Sequence, residues 1–141
     1  MHRPKLHVVD SGIACHLHGL GVDQLARAGN TAAGSLLESF VVGEIQRHIP
    51  WSMERPSLHH YRDKAQREID VVLETRDGRV AAIEVKAARD VDDDDFRHLR
   101  WFRDTLGERF VSGVVLHLGE RTLPAGDRLT SMPVSALWTG A

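Results

Sequence analysis

An α/β fold, with a mixed central β-sheet flanked by helices, is what this chain of 141 residues predicts. Three observations lead there. Residues 67–86 hold two stretches rich in β-branched residues around Asp77-Gly78, a hairpin turn signal. Residues 110–118 form a near-continuous apolar run, which suits a central strand covered on both faces. Between them, Phe96, Leu99, Phe102 and Leu106 recur at helical spacing, so a helix crosses from one strand to the next. The strands on either side of that crossover are expected to be parallel neighbours.

Taken in order, the chain opens with a short basic stretch, and residues 5–10 read as a strand. The strand begins almost at once, which suggests a domain cut from something longer or a C-terminal module. Asp10-Ser11-Gly12 is a turn or helix cap, and residues 13–19 read as a short helix ending at glycine. His16 and His18 lie two apart and do not face each other on a helix, which argues against a metal pair there. A second short helix is expected over 22–28, closed by Gly29-Asn30. Thr31 can then cap a long helix running to about His48, with Pro50 marking its end. Its apolar arc is Leu37, Phe40, Val41, Val42, Ile45 and Ile49. Glu38 and Glu44 fall inside that arc, where a carboxylate is costly unless it is paired or bound to a metal. For Glu44 a salt bridge at the rim is expected.

Residues 50–56 read as a loop, 57–63 as a strand, and Lys64-Ala65-Gln66 as a turn. His59 and His60 are adjacent on that strand and point to opposite faces, so surface or core roles are expected of them rather than a shared metal. After Lys86 the strand ends, and the acidic run 90–95 opens the crossover helix, since acids are favoured at a helix N-terminus. Arg97, Arg100 and Arg103 are expected on its solvated faces. Residues 119–126 read as a turn, 129–133 as a last short strand, and 134–138 as a closing helical turn.

Composition bounds the function. A hydrophobic content of 42% and a charged content of 27% are ordinary for a globular chain, and the length suits one domain with a real core. The formal net charge of −2 supplies no overall basic field for nucleic acid, so DNA binding would need a local patch. Arg62, Lys64 and Arg67 form a small one; they are either phosphate contacts or ordinary turn residues paired with nearby acids. The single Cys15 excludes an internal disulfide and a cysteine zinc cluster, and it is expected to be a buried helix residue. No membrane-spanning run and no signal peptide are recognisable, which makes cytoplasmic the expectation. Trp51, Trp101 and Trp138 suit either an interface or rim packing.

The chemistry centres on the strand pair. Alternation puts Ile69, Val71 and Leu73 on one face of the first strand and Glu68, Asp70, Val72 and Glu74 on the other. In the second, Ala81, Ile83 and Val85 oppose Glu84 and Lys86. Antiparallel pairing would bring Asp70, Glu84 and Lys86 to one surface. Carboxylates are the hard ligands that Mg²⁺ prefers, and a neighbouring lysine can orient a water or balance charge on a phosphate. Charged residues two apart are also the ordinary wet face of a sheet. What favours the metal reading is the whole series of helix Glu, strand Asp and strand Glu-X-Lys, in order and at compact spacing.

That series, Glu38, Asp70 and Glu84-Val85-Lys86, resembles the motif of the PD-(D/E)XK superfamily, the restriction-endonuclease-like nucleases. The resemblance implies an αβββαβ core, Mg²⁺ or Mn²⁺ as cofactor, and DNA as partner. It implies that Asp70 and Glu84 bind the metal, that Lys86 positions the attacking water and stabilises the developing charge, and that Glu38 completes the metal shell or orients a water. Many nucleases of that fold cut as dimers, so a homodimer is among the partners it allows.

A second resemblance covers nearly the whole chain. Lys5-Leu6-His7-Val8-Val9-Asp10-Ser11-Gly12, the block from Gly34 to Glu44, Tyr61-Arg62-Asp63, Ile83-Glu84-Val85-Lys86 and Pro133-Val134-Ser135-Ala136-Leu137-Trp138 look like the C-terminal domain of prokaryotic AAA-type ATP-binding proteins, a domain of unknown function. This implies an upstream ATPase domain as partner. The chain itself has no Gly-x-x-x-x-Gly-Lys-[Ser/Thr] loop, so ATP would enter only through that other domain. Because family membership does not prove cleavage, the alternative is a non-catalytic module that recognises nucleic acid or a protein partner for the ATPase.

Overall fold

The computed structural model describes residues 5–21 and 31–139. Residues 5–10, expected as a strand, join no sheet. A strand needs an apolar face to bury, and here Leu6 is 90% and Val9 86% exposed. The segment is held by polar contacts instead: Lys5 to three carboxylates, His7 Nδ1 to Ser39 Oγ at 3.3 Å, and Arg47 to the Val9 carbonyl at 3.5 Å. Helix α1, Ser11–Leu17, follows. Asp10 caps it, its Oδ1 accepting from the backbone N–H of Gly12 (2.8 Å) and Ile13 (3.0 Å). The helix expected over 22–28, its Gly29-Asn30 close and the Thr31 side-chain cap lie outside the described residues.

Helix α2, Thr31–His48, spans the expected length and ends in a 3₁₀ turn, Ile49–Trp51, that contains Pro50. Three strands follow as a meander: β1 Ser57–Arg62, β2 Glu68–Glu74 and β3 Val80–Lys86, each antiparallel to the next. The β2–β3 turn closes with the Gly78 N–H on the Thr75 carbonyl (2.9 Å), and Gly78 takes φ +84°, the conformation for which glycine is suited.

Helix α3, Arg97–Leu106, is preceded by a 3₁₀ turn, Asp94–Phe96, and so begins later than the acidic run predicts. Asp92 Oδ1 takes the N–H groups of Asp94 (2.9 Å) and Asp95 (3.2 Å), which starts the helical turns there and leaves residues 90–93 outside. Arg97, Arg100 and Arg103 pair with Asp94, Asp93 and Asp104 respectively.

Strand β4, Phe110–His117, lies parallel to β3, and β6, Leu129–Pro133, lies parallel to β4. Part of the expected turn 119–126 forms a two-residue strand, β5 Leu123–Pro124, antiparallel to β6. Helix α4, Ala136–Thr139, closes the described chain. The six-stranded sheet has the order β1-β2-β3-β4-β6-β5.

The mixed sheet carries an apolar cluster on each face. One joins Val41, Val42 and Ile45 of α2 to Val71, Leu116 and Val134, with Leu37, Phe40 and Ile49 packed against it. The other joins Phe96, Leu99 and Phe102 to Val72, Val80, Ala82, Phe110, Val115 and Leu129. The arcs read from α2 and α3 are therefore the buried ones. Glu44 sits at the rim as expected, 2.5 Å from Arg47 and accepting from Trp138 Nε1 at 3.1 Å. Among the described residues no helix is long and apolar enough to cross a membrane.

On β4 a small residue is required. A Cβ at Gly113 would lie 2.6 Å from Leu129 Cδ2 and 2.8 Å from Phe110 Cζ. Gly113→Ala is expected to destabilise the protein by about 1–3 kcal/mol through overpacking, read as a lower urea midpoint at unchanged slope.

Candidate functional site

The site begins with an irregularity in β2. His59 pairs with Val72, but Tyr61 pairs with Ile69, so two steps along β1 match three along β2. One extra residue is thus inserted at Asp70-Val71, a β-bulge. Beyond it the faces exchange. Val71 packs in the α2 cluster while Ile69 joins Val72 in the α3 cluster. The expectation that Ile69, Val71 and Leu73 share one face therefore fails at Ile69, because simple alternation assumes an unbroken ladder.

The bulge decides where Asp70 points. Its Oδ2 accepts from the Val85 backbone N–H at 2.9 Å, which fixes it across the strand pair. Its Oδ1 lies 3.1 Å from Lys5 Nζ. Glu84 takes the α3 side instead, with its Oε1 3.8 Å from His98 Nδ1. Lys86 Nζ is 3.2 Å from Asp95 Oδ1. These residues line one groove of about 450 Å³, walled by Gly34, Ser35 and Glu38 of α2 and by Asp94, Asp95, Arg97 and His98 at the start of α3. Glu38, Asp70, Glu84 and Lys86, read from the sequence as one constellation, therefore share a groove, in which the Asp70 and Glu84 carboxyls are hydrogen-bonded to each other.

Lys5 is the centre of the α2 side. Its ammonium lies 2.5 Å from Glu38, 2.8 Å from Glu68 and 3.1 Å from Asp70. Burial alone would lower its pKa, but the three carboxylates outweigh burial and raise it. Burial pushes the Glu38 carboxyl up, against the pull of the adjacent Lys5. The 2.5 Å contact between opposite charges favours the ionised pair. His7, nearby, is lowered by burial and by the Lys5 charge.

Glu84 behaves differently. It is 7% exposed, and its carboxyl is pushed up to about 9, first by burial and then by the Asp70 charge beside it. At neutral pH it carries a proton. It can serve as an anionic ligand only when something supplies enough positive charge to remove that proton.

Among the described residues, no three acidic or histidine side chains form a ready metal cage. The point where Glu38, Glu68 and Asp70 converge is filled by the Lys5 ammonium. The donor set fits a hard divalent cation by chemistry, since it consists of carboxylate oxygens. It fits by geometry only with Lys5 elsewhere.

The basic patch is partly spoken for. Arg67 donates to Asp63 at 2.7 Å and stacks 3.8 Å over the Trp101 ring. Arg62 donates to Gln66 at 3.0 Å, and both Arg62 and Lys64 are exposed. His59 and His60 are exposed, and Cys15, expected to be buried, is half-buried. Trp138 lies against Phe40 with ring centroids 5.7 Å apart, whereas Trp51 is exposed.

Sequence reasoning missed His98 and Asp95 as groove residues and Lys5 as the partner of three groove carboxylates, and it put Glu68 on the right strand without a role. For Glu68 the signal was present, because it lies two residues before Asp70. Lys5 opens a block that resembles the family, but nothing local gives it a role, since its partners Glu38, Glu68 and Asp70 lie 33, 63 and 65 residues away.

Searches of curated proteins and of solved structures each found no match. Among models of known families, one described as Domain of unknown function (DUF4143) matches residues 33–137. That stretch holds the six strands, α3, most of α2 and every groove residue named above but not Lys5, and the chain belongs to this DUF4143 family.

Proposed function

We propose that this protein is a Mg²⁺- or Mn²⁺-dependent nuclease or nuclease-like domain acting on DNA, related to the PD-(D/E)XK superfamily and attached to an AAA-type ATPase. The observation that carries the reading is the meeting of Glu38, Asp70, Glu84 and Lys86 in one groove. Asp70, Glu84 and Glu38 would hold the cation. Once bound, a divalent cation polarises a phosphodiester oxygen and acidifies a water. Lys86, on the more open side of the groove, balances charge on the phosphate and orients the water, while Asp95 holds its ammonium in place. Arg62 and Lys64, exposed on the β1–β2 turn, are the residues of the basic patch best able to meet a phosphate backbone. The same reading makes the protein a cytoplasmic one-domain unit that works beside its ATPase partner.

The test is a cleavage assay with Mg²⁺ and then Mn²⁺ on duplex, single-stranded and branched DNA and on RNA. Asp70→Ala and Lys86→Ala, checked for folding by circular dichroism, are each expected to lower the rate at least roughly 100-fold. Metal-supported cleavage that survives loss of both Asp70 and Glu84 would overturn the proposal.

A second reading has its own observation. The acidic cluster already has a resident counter-ion in Lys5, and Glu84 is held uncharged. This suits a non-catalytic module that recognises nucleic acid or a protein partner for the ATPase. Absence of cleavage by this chain and by the chain joined to its ATPase domain would favour that reading.

A further inference from the structure

We propose that Lys5 is a tethered counter-ion at the carboxylate cluster, and that a divalent cation enters there only by displacing it. This rests on the metal reading above and adds what must move for the metal to bind. One ammonium faces three carboxylates, Glu38, Glu68 and Asp70, all within 3.1 Å. A divalent ion takes the same hard oxygens at shorter range and brings twice the charge. Two cations on one set of oxygens repel each other, so occupancy is exclusive.

The segment that carries Lys5 is built to leave. Leu6 and Val9 bury almost nothing, and residues 5–10 pair with no strand. Apart from Lys5 itself, the segment is held to α2 by His7, which meets Ser39 Oγ at 3.3 Å and Glu38 Oε1 at 4.0 Å, and by the 3.5 Å contact from Arg47 to the Val9 carbonyl. Its release therefore gives up few contacts, and what it exposes is a cluster of negative charge. Metal affinity is then multiplied by the fraction of molecules in the displaced state, a reduction that removal of the ammonium abolishes.

The experiment is a Mn²⁺ titration by calorimetry on the wild type and on Lys5→Met, with folding checked by circular dichroism. Lys5→Met is expected to bind at least about tenfold more tightly than the wild type, and Asp70→Asn added to it should reverse the gain. A second measurement needs no variant. Endoproteinase Lys-C cleaves after a lysine whose side chain is free to enter the protease, and the chain offers Lys5, Lys64 and Lys86. Mn²⁺ should speed cleavage at Lys5 severalfold relative to Lys64. Binding by the wild type with no gain in Lys5→Met and no faster cleavage at Lys5 would overturn the displacement and leave the metal reading standing. Absence of Mn²⁺ binding by either protein would overturn both. Tight binding by Lys5→Met without cleavage of any nucleic acid would uphold the displacement and count against the nuclease.

Discussion

Glu84→Gln is expected to stabilise the metal-free protein at about pH 8 by on the order of 5 kcal/mol. The Glu84 carboxyl stands at about 9 in the folded protein against an ordinary 4.5, with burial the main cause and the Asp70 charge the second. Between those values the folded state keeps a proton that the unfolded chain has released. The unfolded state then binds fewer protons, so stability falls as pH rises. The favourable contribution is complete below the unfolded value and is lost progressively up to the folded one. The slope from this group is at most about 1.4 kcal/mol per pH unit. A neutral amide has no such slope. Urea denaturation of both proteins from about pH 5 to pH 9 should show the wild type weakening while the variant stays level in this contribution. Parallel curves would mean that Glu84 is ionised in the folded protein. A stabilising change at a groove residue would also accord with a site kept at the expense of stability for its chemistry.

Phe110→Ala is expected to cost about 3–5 kcal/mol, enough to unfold a domain of ordinary stability. Phe110 is 1% exposed at the start of β4 and meets Phe102 edge to face, with ring centroids 6.4 Å apart. The Arg128 guanidinium lies 5.7 Å from its ring and donates to its carbonyl at 2.6 Å. Truncation would remove the aromatic contact and leave a cavity between α3 and the sheet, ringed by Leu99, Phe102 and Leu129. Trp51→Ala, at a residue 88% exposed, is the control and should stay within about 0.5 kcal/mol. The two aromatics lie at opposite extremes of burial, and denaturant midpoints would compare them directly.

Local signals made much of this fold legible. Asp77-Gly78 announced the β2–β3 turn, the apolar run announced β4, and the helical spacing of Phe96, Leu99 and Phe102 announced the buried face of α3. The parallel pairing of β3 with β4 followed from the crossover between them. Residues 5–10 misled because their composition suits a strand, while Leu6 and Val9 stay exposed and the segment is held by polar contacts, which composition does not reveal. The bulge at Asp70 was hidden for a related reason. Alternation is a property of one strand, whereas a bulge is a property of a pair. The carboxylates and Lys86 were legible as a series because they sit on two neighbouring strands and one helix. Lys5 was not, because its role exists only after distant parts of the chain have met.

The sheet order has a further consequence, for the sequence of folding events. β1, β2 and β3 connect through residues 63–67 and 75–79, short loops whose closure entropy is small. β3 and β4 are joined only through residues 87–109, so their pairing waits on the placement of α3. The meander is thus the part of the molecule whose assembly is cheapest in chain entropy. It contains Asp70, Glu84 and Lys86, so two acids and their bulge are brought together by short-range connections, whereas Glu38 and Lys5 join them only through contacts distant in sequence.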